Sequence, residues 1–267
     1  MDAYKRVEAA RAKGRPSGSD FIQNIFDDFL EMHGDRRFAD DRAVIAGIGR
    51  LYDMPVTVIA IERGKDTKDK VGRNFGCAHP EGYRKALRQM KLAEKFGRPV
   101  ICFIDTSGAY CGIEAEERGQ AQAIAENLLE MMSLKTPVIS VLTGEGGSGG
   151  ALGLAVADEV WMLENAVYSV ISPEGCASIL WKDASKRKEA AECLKLTAED
   201  LLERRIVERI IREPLDGKKG FDRVYRKLKK DLYSAFSQGK KLSVEELTER
   251  RYQRFRRMGE FSEPVIS

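Results

Sequence analysis

Cysteine and histidine are both scarce in this chain of 267 residues, and neither forms a metal-binding pattern. No Cys-x-x-Cys pair occurs among the five cysteines, which are Cys77, Cys102, Cys111, Cys176 and Cys193. This scattered distribution argues against a zinc site or a disulfide framework, and it is typical of a protein from the reducing cytosol. We therefore expect no bound metal and a cytoplasmic location.

Long apolar runs are missing as well. No run approaches the roughly 18 apolar residues that a membrane-spanning helix needs. The first twenty residues are charged and lack the apolar core of a signal peptide. We expect a protein with no membrane contact. The apolar fraction of 43% is ordinary for a globular protein and excludes global disorder.

The net charge of +3 is small, but basic residues are concentrated near the C-terminus. Between Lys218 and Arg257 there are 14 Lys/Arg residues against five Asp/Glu residues, which can indicate a nucleic-acid partner. Apolar residues recur at helical spacing in the same stretch: Phe221, Val224, Leu228, Leu232 and Phe236. We interpret this basic tail as an amphipathic helix with a solvated basic face, and we do not expect it to bind nucleic acid. A scaffold protein whose tail contacts nucleic acid or an acidic partner is the non-enzyme alternative.

Strand-like runs and helical repeats alternate along the chain. The pattern predicts strands over 44–51, 56–61, 99–105, 137–142 and 160–171. It predicts helices over 20–32, 80–96, 114–132, 183–195 and 198–204, and a short helix that begins at Pro173. This alternation is typical of an α/β fold with a mostly parallel sheet. No linker divides the chain, so we expect one domain over 1–267.

Two glycine-containing turns come directly after two of the apolar strands. The first is DTSGAYCG, at 105–112; the second, TGEGGSGG at 143–150, places five glycines in seven positions. Ligands of parallel sheets collect at the carboxyl ends of the strands, where the next helix directs unpaired N–H groups outward. Because glycine lets a ligand approach the backbone closely, such a turn suits a phosphate or a developing oxyanion.

A phosphate site is the weaker of these two possibilities. Gly150 is followed by Ala151 and not by the Lys-Ser/Thr of a phosphate-binding P-loop. A G-x-G-x-x-G match begins at Gly144, but it comes late in the chain and no acidic residue marks a ribose site. Nucleotide binding is therefore not expected.

Ser148 offers a sharper alternative, because residues 146–150 match the G-x-S-x-G nucleophile elbow of serine hydrolases. A nucleophilic serine needs a base, and the only histidines are His33 and His79, both upstream in turn-like or helix-edge sequences. We interpret Ser148 as a small residue of a tight turn. A serine hydrolase or peptidase with a lysine base remains the rival enzyme class.

Five stretches together resemble the carboxyltransferase alpha subunit of bacterial acetyl-CoA carboxylase. They are HGDRRFADDRAVIAGIGRL, RNFGCAHPEGYRKALRQMKLAEKFGRPV, DTSGAYCGIEAEERGQAQAIAENL, TGEGGSGGALGLAVAD and YSVISPEGCASILW. The resemblance covers about 20–240, which we expect to be the core of the domain. It implies a crotonase-like fold, a spiral of ββα turns with flanking helices.

The resemblance also implies an activity, namely transfer of a carboxyl group from carboxybiotin to acetyl-CoA, which gives malonyl-CoA in the first step of fatty acid synthesis. It implies that N–H groups of Gly149 and Gly150, or of Gly150 and Ala151, bind the ureido oxygen of biotin. By the same matching, the biotin pocket includes Gly108, Ala109, Gly112, Gly146 and Gly147. The family usually has proline where this chain has Ser107 and Cys111, so no role is assigned to those two side chains.

The partners implied by the resemblance reflect a shared active site. The alpha chain faces biotin, and a beta subunit that often carries a zinc ribbon holds the CoA thioester; the expected assembly is an α2β2 heterotetramer. The biotin carboxyl carrier protein delivers carboxybiotin, and biotin carboxylase is the further component. ATP is used by the whole complex and is not expected to bind this chain.

Overall fold

The computed structural model describes residues 2–214 and 220–261. The strands are β1 (Asp27–Glu31), β2 (Val44–Leu51), β3 (Met54–Ile61), β4 (Val100–Thr106), β5 (Val138–Gly147), β6 (Glu159–Leu163), β7 (Val167–Ser169) and β8 (Arg209–Ile211). The first helices are α1 (Ala3–Ala10), α2 (Gly18–Ile25), α3 (Thr67–Gly72), α4 (Pro80–Lys95), α5 (Ile113–Glu117) and α6 (Gln120–Ser133). The later helices are α7 (Ser148–Leu152), α8 (Pro173–Trp181), α9 (Arg187–Leu194), α10 (Ala198–Glu203), α11 (Phe221–Gly239) and α12 (Val244–Arg256).

These eight strands belong to one sheet. Its order is β1-β2-β3-β4-β5-β6-β8, and β7 also pairs with β5, beyond the end of β6. The β1-β2-β3 edge is antiparallel, and every pairing from β3 to β8 is parallel. All seven residues of β4 are buried, as expected for a parallel strand covered on both faces. The mostly parallel α/β sheet predicted from the sequence is confirmed.

Several predicted elements have different bounds. The helix expected over 20–32 ends at Ile25, because Phe26 is extended and Asp27–Glu31 forms the edge strand β1 against β2. Pairing with β2 satisfies backbone groups that a longer helix would have satisfied internally, so the tertiary contact overrides the local pattern. The helix expected over 114–132 is divided at Gly119, which is left-handed at φ 82°.

Two further corrections concern the second half of the chain. The strand expected over 160–171 is two strands, because β6 pairs with the middle of β5 and β7 pairs with its end, and the turn after Leu163 shifts the chain between them. The helix expected over 183–195 begins only at Arg187, after a 3₁₀ turn at Ala184–Lys186.

The basic tail packs as an amphipathic helix, as interpreted from its spacing. All five apolar residues of that pattern are buried in α11: Phe221, Val224, Leu228, Leu232 and Phe236. Helix α11 packs on α2, where the rings of Phe21 and Tyr225 meet edge to face at 5.3 Å between centroids. Lys218 and Lys219, at the start of the basic tail, lie outside the described residues.

One apolar core connects the sheet with α2, α4 and α11, and its buried residues run from Phe21 to Phe236. This continuity supports the single domain expected over 1–267, which stays a prediction. No helix in the ranges 2–214 and 220–261 is long and apolar enough to cross a membrane.

Candidate active site

The two glycine-containing turns lie against each other at the carboxyl ends of β4 and β5. A Cβ atom built on Gly147 would be 2.1 Å from the carbonyl oxygen of Ser107, and one on Gly150 would be 2.4 Å from the backbone nitrogen of Ala109. Both distances are far shorter than any van der Waals contact. Two of the five clustered glycines therefore let one backbone turn pack directly on the other.

Hydrogen bonds fix the first turn in place of the missing prolines. The Gly108 N–H donates to Oγ1 of the buried Thr106 over 3.1 Å, and that hydroxyl donates to the Gly108 carbonyl over 2.7 Å. The Tyr110 N–H donates to the Ala78 carbonyl, and the Gln120 side-chain amide donates to the carbonyls of both Ala78 and Tyr110. A turn with serine at position 107 is therefore held by five backbone and side-chain hydrogen bonds.

The second turn leads straight into the five-residue helix α7 because Ser148 adopts φ 51°. The first turn of a helix leaves its N–H groups without intrahelical acceptors. Within the described ranges, no acceptor outside the helix takes the N–H of Gly149 or Gly150, whereas the Ala151 N–H faces the Gly147 carbonyl inside the helix. The buried Tyr83 hydroxyl donates to the Gly150 carbonyl over 3.2 Å and so orients that peptide. These main-chain donors are available for an oxyanion.

A largely apolar cavity of about 340 Å³ opens beside these donors. It is lined by Ser148, Gly149, Leu152, Tyr168, Ser169, Val170, Leu194, Leu201 and Ile206. Burial raises the pKa of Tyr168 to about 12, so its hydroxyl is neutral at physiological pH. Sequence reasoning did not identify the apolar lining residues, which come from α7, β7, α9, α10 and the segments after β7 and α10. Only their nearness in the fold reveals them.

The predicted site residues occupy different positions around this cavity. Gly149 lines it, and Gly150 is buried behind it, against Gly108 and Ala109. Gly146 is buried where a Cβ atom would meet Leu142 and Tyr168, and Gly147 contacts the first turn.

Gly112 lies farther along the first turn, beside the side chains of Tyr110 and Glu114. The structure thus brings Gly108, Ala109, Gly147, Gly149 and Gly150 together, and it gives Gly146 and Gly112 mainly packing contacts on the side of the missing Cβ.

The surroundings of Ser148 do not supply a catalytic base. Its left-handed backbone resembles a nucleophile elbow, but among the described residues no histidine, lysine or carboxylate lines the cavity. His33 Nδ1 lies 3.0 Å from Asp40, and His79 bonds to Asn74 and stacks on Tyr110 at 4.1 Å between ring centroids. Both histidines have structural partners, in agreement with their interpretation from the sequence.

An α/β domain with adjacent glycine turns at the carboxyl ends of parallel strands defines the crotonase-like fold class. Solved structures support this fold: the chain matches transcarboxylase 12S with a TM-score of 0.69 at 19% identity, over 86% of this chain and 44% of that one. It also matches a chain of the Pseudomonas malonate decarboxylase MdcD-MdcE heterodimer with a TM-score of 0.67 at 17% identity, over 90% and 96% of the two chains. The predicted crotonase-like fold is confirmed.

Sequence comparison identifies the family. The model for the acetyl co-enzyme A carboxylase carboxyltransferase-like family matches residues 1–259. The chain is 63% identical to the acetyl-coenzyme A carboxylase carboxyl transferase subunit alpha of Ruminiclostridium cellulolyticum, over 97% of this chain and 98% of that protein. The fused beta/alpha protein of Clostridium tetani is 52% identical over 98% of this chain and 46% of its own length. The chain belongs to the family of acetyl-CoA carboxylase carboxyltransferase alpha subunits, which confirms the predicted enzyme and its function.

Proposed function

We propose that this chain binds the biotin side of the carboxyltransferase reaction and holds its reacting oxygen at the start of α7. The observation that carries the proposal is the pair of Gly149 and Gly150 N–H donors at the start of α7, where Gly149 lines an apolar cavity of about 340 Å³. A cavity with few polar side chains suits the apolar ring and chain of biotin. Main-chain donors suit its polar ureido oxygen, so the residues fit the group.

Bound carboxybiotin would supply CO2, and its ureido oxygen would then carry negative charge. The chain's own contribution is to place two N–H groups at that oxygen without reorganisation and to exclude water with Leu152, Leu201 and Ile206. The acceptor we propose is acetyl-CoA, with malonyl-CoA as product and the biotin carboxyl carrier protein as donor. ATP is then consumed by biotin carboxylase and not at this site.

The partner we propose is a carboxyltransferase beta subunit, assembled with this chain as an α2β2 heterotetramer. The fused relative from Clostridium tetani carries both subunits in one polypeptide, which supports this pairing. Large apolar side chains are exposed at the cavity and on α8: Val170, which lines the cavity, is 76% exposed, and Ile179 and Leu180 of α8 are 69% and 63% exposed. A patch of this kind marks a protein interface, so we place the beta subunit on α8 and the segment after β7. We place the complex in the cytosol, in agreement with five free thiols.

Reconstitution tests this function. The purified chain alone should not transfer a carboxyl group between malonyl-CoA and free biotin, because the CoA-binding half of the site is missing. Addition of the matching beta subunit should restore transfer, measured as the biotin-dependent formation of acetyl-CoA from malonyl-CoA. Val170→Asp combined with Leu180→Asp should prevent assembly, whereas Leu129→Asp, at another exposed apolar position, should not. Full activity of the chain without a partner would contradict the shared site.

A second test separates this function from the rival hydrolase. Ser148→Ala removes the hydroxyl but keeps every main-chain donor, so the reconstituted complex should retain carboxyltransferase activity within about threefold. A nucleophilic serine would instead cost many orders of magnitude in rate. The wild-type chain should also resist labelling by a fluorophosphonate. Labelling at Ser148, or a large loss of activity in a folded Ser148→Ala protein, would favour the hydrolase.

A further inference from the structure

An interruption in the pairing of β4 with β5 lies just before the glycine turn. Ile104 pairs with Leu142, and the next pair is Thr106 with Gly146. Asp105 alone is therefore opposite the three residues Thr143, Gly144 and Glu145. Irregularities of this kind bend a strand and redirect the chain beyond them, and they are frequent beside active sites.

The side chain of Asp105 fills this interruption. Its Oδ1 atom accepts the Glu145 N–H over 2.9 Å, so the carboxylate replaces a backbone partner that β4 does not provide there. Gly144 makes the arrangement possible, because a Cβ atom at that position would be 2.4 Å from Asp105 Oδ1. Gly144 does not contact the cavity, but its lack of a side chain makes room for the Asp105 carboxylate that holds the backbone of β5.

Partly buried ion pairs hold the Asp105 carboxylate in turn. The Arg63 guanidinium donates from Nη1 to Asp105 over 3.2 Å and to Glu145 over 2.9 Å. Arg11 Nε donates to the other side of Glu145 over 2.8 Å, and Arg11 also pairs with Glu174 on α8. Burial raises the pKa of Asp105, and Arg63 and the Glu145 N–H oppose that shift. The geometry, a carboxylate that accepts from both a guanidinium and a backbone N–H, is that of the ionised form.

We propose that Asp105, held by Arg63, is a positioning residue that sets the direction of the glycine turn and so aims the α7 donors. Beyond the interruption, Glu145, Gly146 and Gly147 pair with β7, and Ser148 begins α7. A displacement of Glu145 therefore moves both the donors and the cavity wall from β7. This inference rests on the proposed function for its kinetic test, but its structural test does not.

The opposite end of β5 offers a matched control. Asp158 is half-buried, accepts the Val138 N–H over 2.7 Å and pairs with the buried Arg251. Asp105 and Asp158 thus perform the same structural task at the two ends of one strand. Of these two carboxylates, Asp105 is the one next to the turn.

The experiment compares Asp105→Asn and Asp158→Asn in the full chain reconstituted with the beta subunit. Asp105→Asn should lower kcat about 100-fold, the effect of a displacement of about 1 Å, and leave the KM for biotin within about threefold. Asp158→Asn should lower the melting temperature at least as much but keep the wild-type kcat. Equal kcat losses in the two variants, or an unchanged kcat in folded Asp105→Asn, would overturn the proposal.

Amide hydrogen exchange on the chain provides the readout that does not depend on activity. Asp105→Asn should speed exchange over 145–151 and leave 138–142 unchanged, whereas Asp158→Asn should do the reverse.

If Asp105→Asn does not fold, Glu145→Gln decides the question, because it keeps Asp105 and weakens only the arginine contacts. The kcat should then fall about tenfold, and exchange should again be faster over 145–151. A wild-type complex without transferase activity would refute the proposed function, while the exchange pattern would still test the positioning role. Uniform exchange changes in both aspartate variants would refute that role.

Discussion

Gly150→Ala should lower the kcat of the reconstituted enzyme about 1,000-fold, the upper range for loss of an oxyanion donor. The added Cβ atom would lie 2.4 Å from the Ala109 nitrogen and 2.6 Å from the Gly108 carbonyl carbon, and both neighbours are backbone atoms that cannot rotate away. The two turns must separate, which moves the start of α7 and its N–H donors relative to the cavity. The measurement is steady-state transfer from malonyl-CoA to biotin, with circular dichroism to verify the fold.

Gly149→Ala is the matched control for this substitution. It lies in the same helical turn and gains the same helix propensity, but the nearest atoms to its Cβ would be those of Ile124 at 3.8 Å, an ordinary contact. We expect an unchanged melting temperature and activity within about tenfold of the wild type, since the added methyl group only narrows the cavity. Equal activities in the two alanine variants would show that contact between the turns is not needed for catalysis.

Arg251→Ala should reduce the free energy of unfolding by about 3–5 kcal/mol, as expected when one member of a buried ion pair is removed. The Arg251 side chain is fully buried and donates to both oxygens of Asp158 over 2.8 and 2.9 Å. It also donates to the carbonyls of Met131, Leu134 and Thr136 over 2.7, 2.7 and 3.1 Å. Its loss leaves the half-buried Asp158 carboxylate with only the Val138 N–H and removes a donor from three carbonyls. Urea titration monitored by circular dichroism measures the change.

Arg250→Ala serves as the control, because Arg250 is the preceding residue of α12 and is exposed. Its substitution should change the free energy of unfolding by no more than about 0.5 kcal/mol. Similar effects of the two substitutions would mean that removal of positive charge from the tail matters, and not the buried contacts of Arg251. The basic residues of the tail thus include a structural arginine that its sequence does not distinguish from its neighbours.

Local patterns determined the parts of the fold in which burial can be deduced from spacing. The continuous apolar run of β4 required a strand covered on both faces, and the spacing of Phe221, Leu228 and Phe236 required a helix with one buried side. The glycines at 144–150 located the candidate active-site turn, because a cluster of glycines between a strand and a helix is typical of a backbone that something approaches closely. In each case the determining contacts lie within one segment or depend only on its periodicity.

Long-range contacts decided the rest. The strand β1 exists only because β2 offers an unpaired edge, and the cavity lining from Tyr168 to Ile206 comes from segments far apart in the sequence. The structure also gives the glycines of this turn a role besides ligand binding. Gly147 and Gly150 pack against the backbone of the first turn, and Gly144 packs against the Asp105 carboxylate. A sequence shows that a residue has no side chain, but only the tertiary structure shows which atoms occupy the space where that side chain would be.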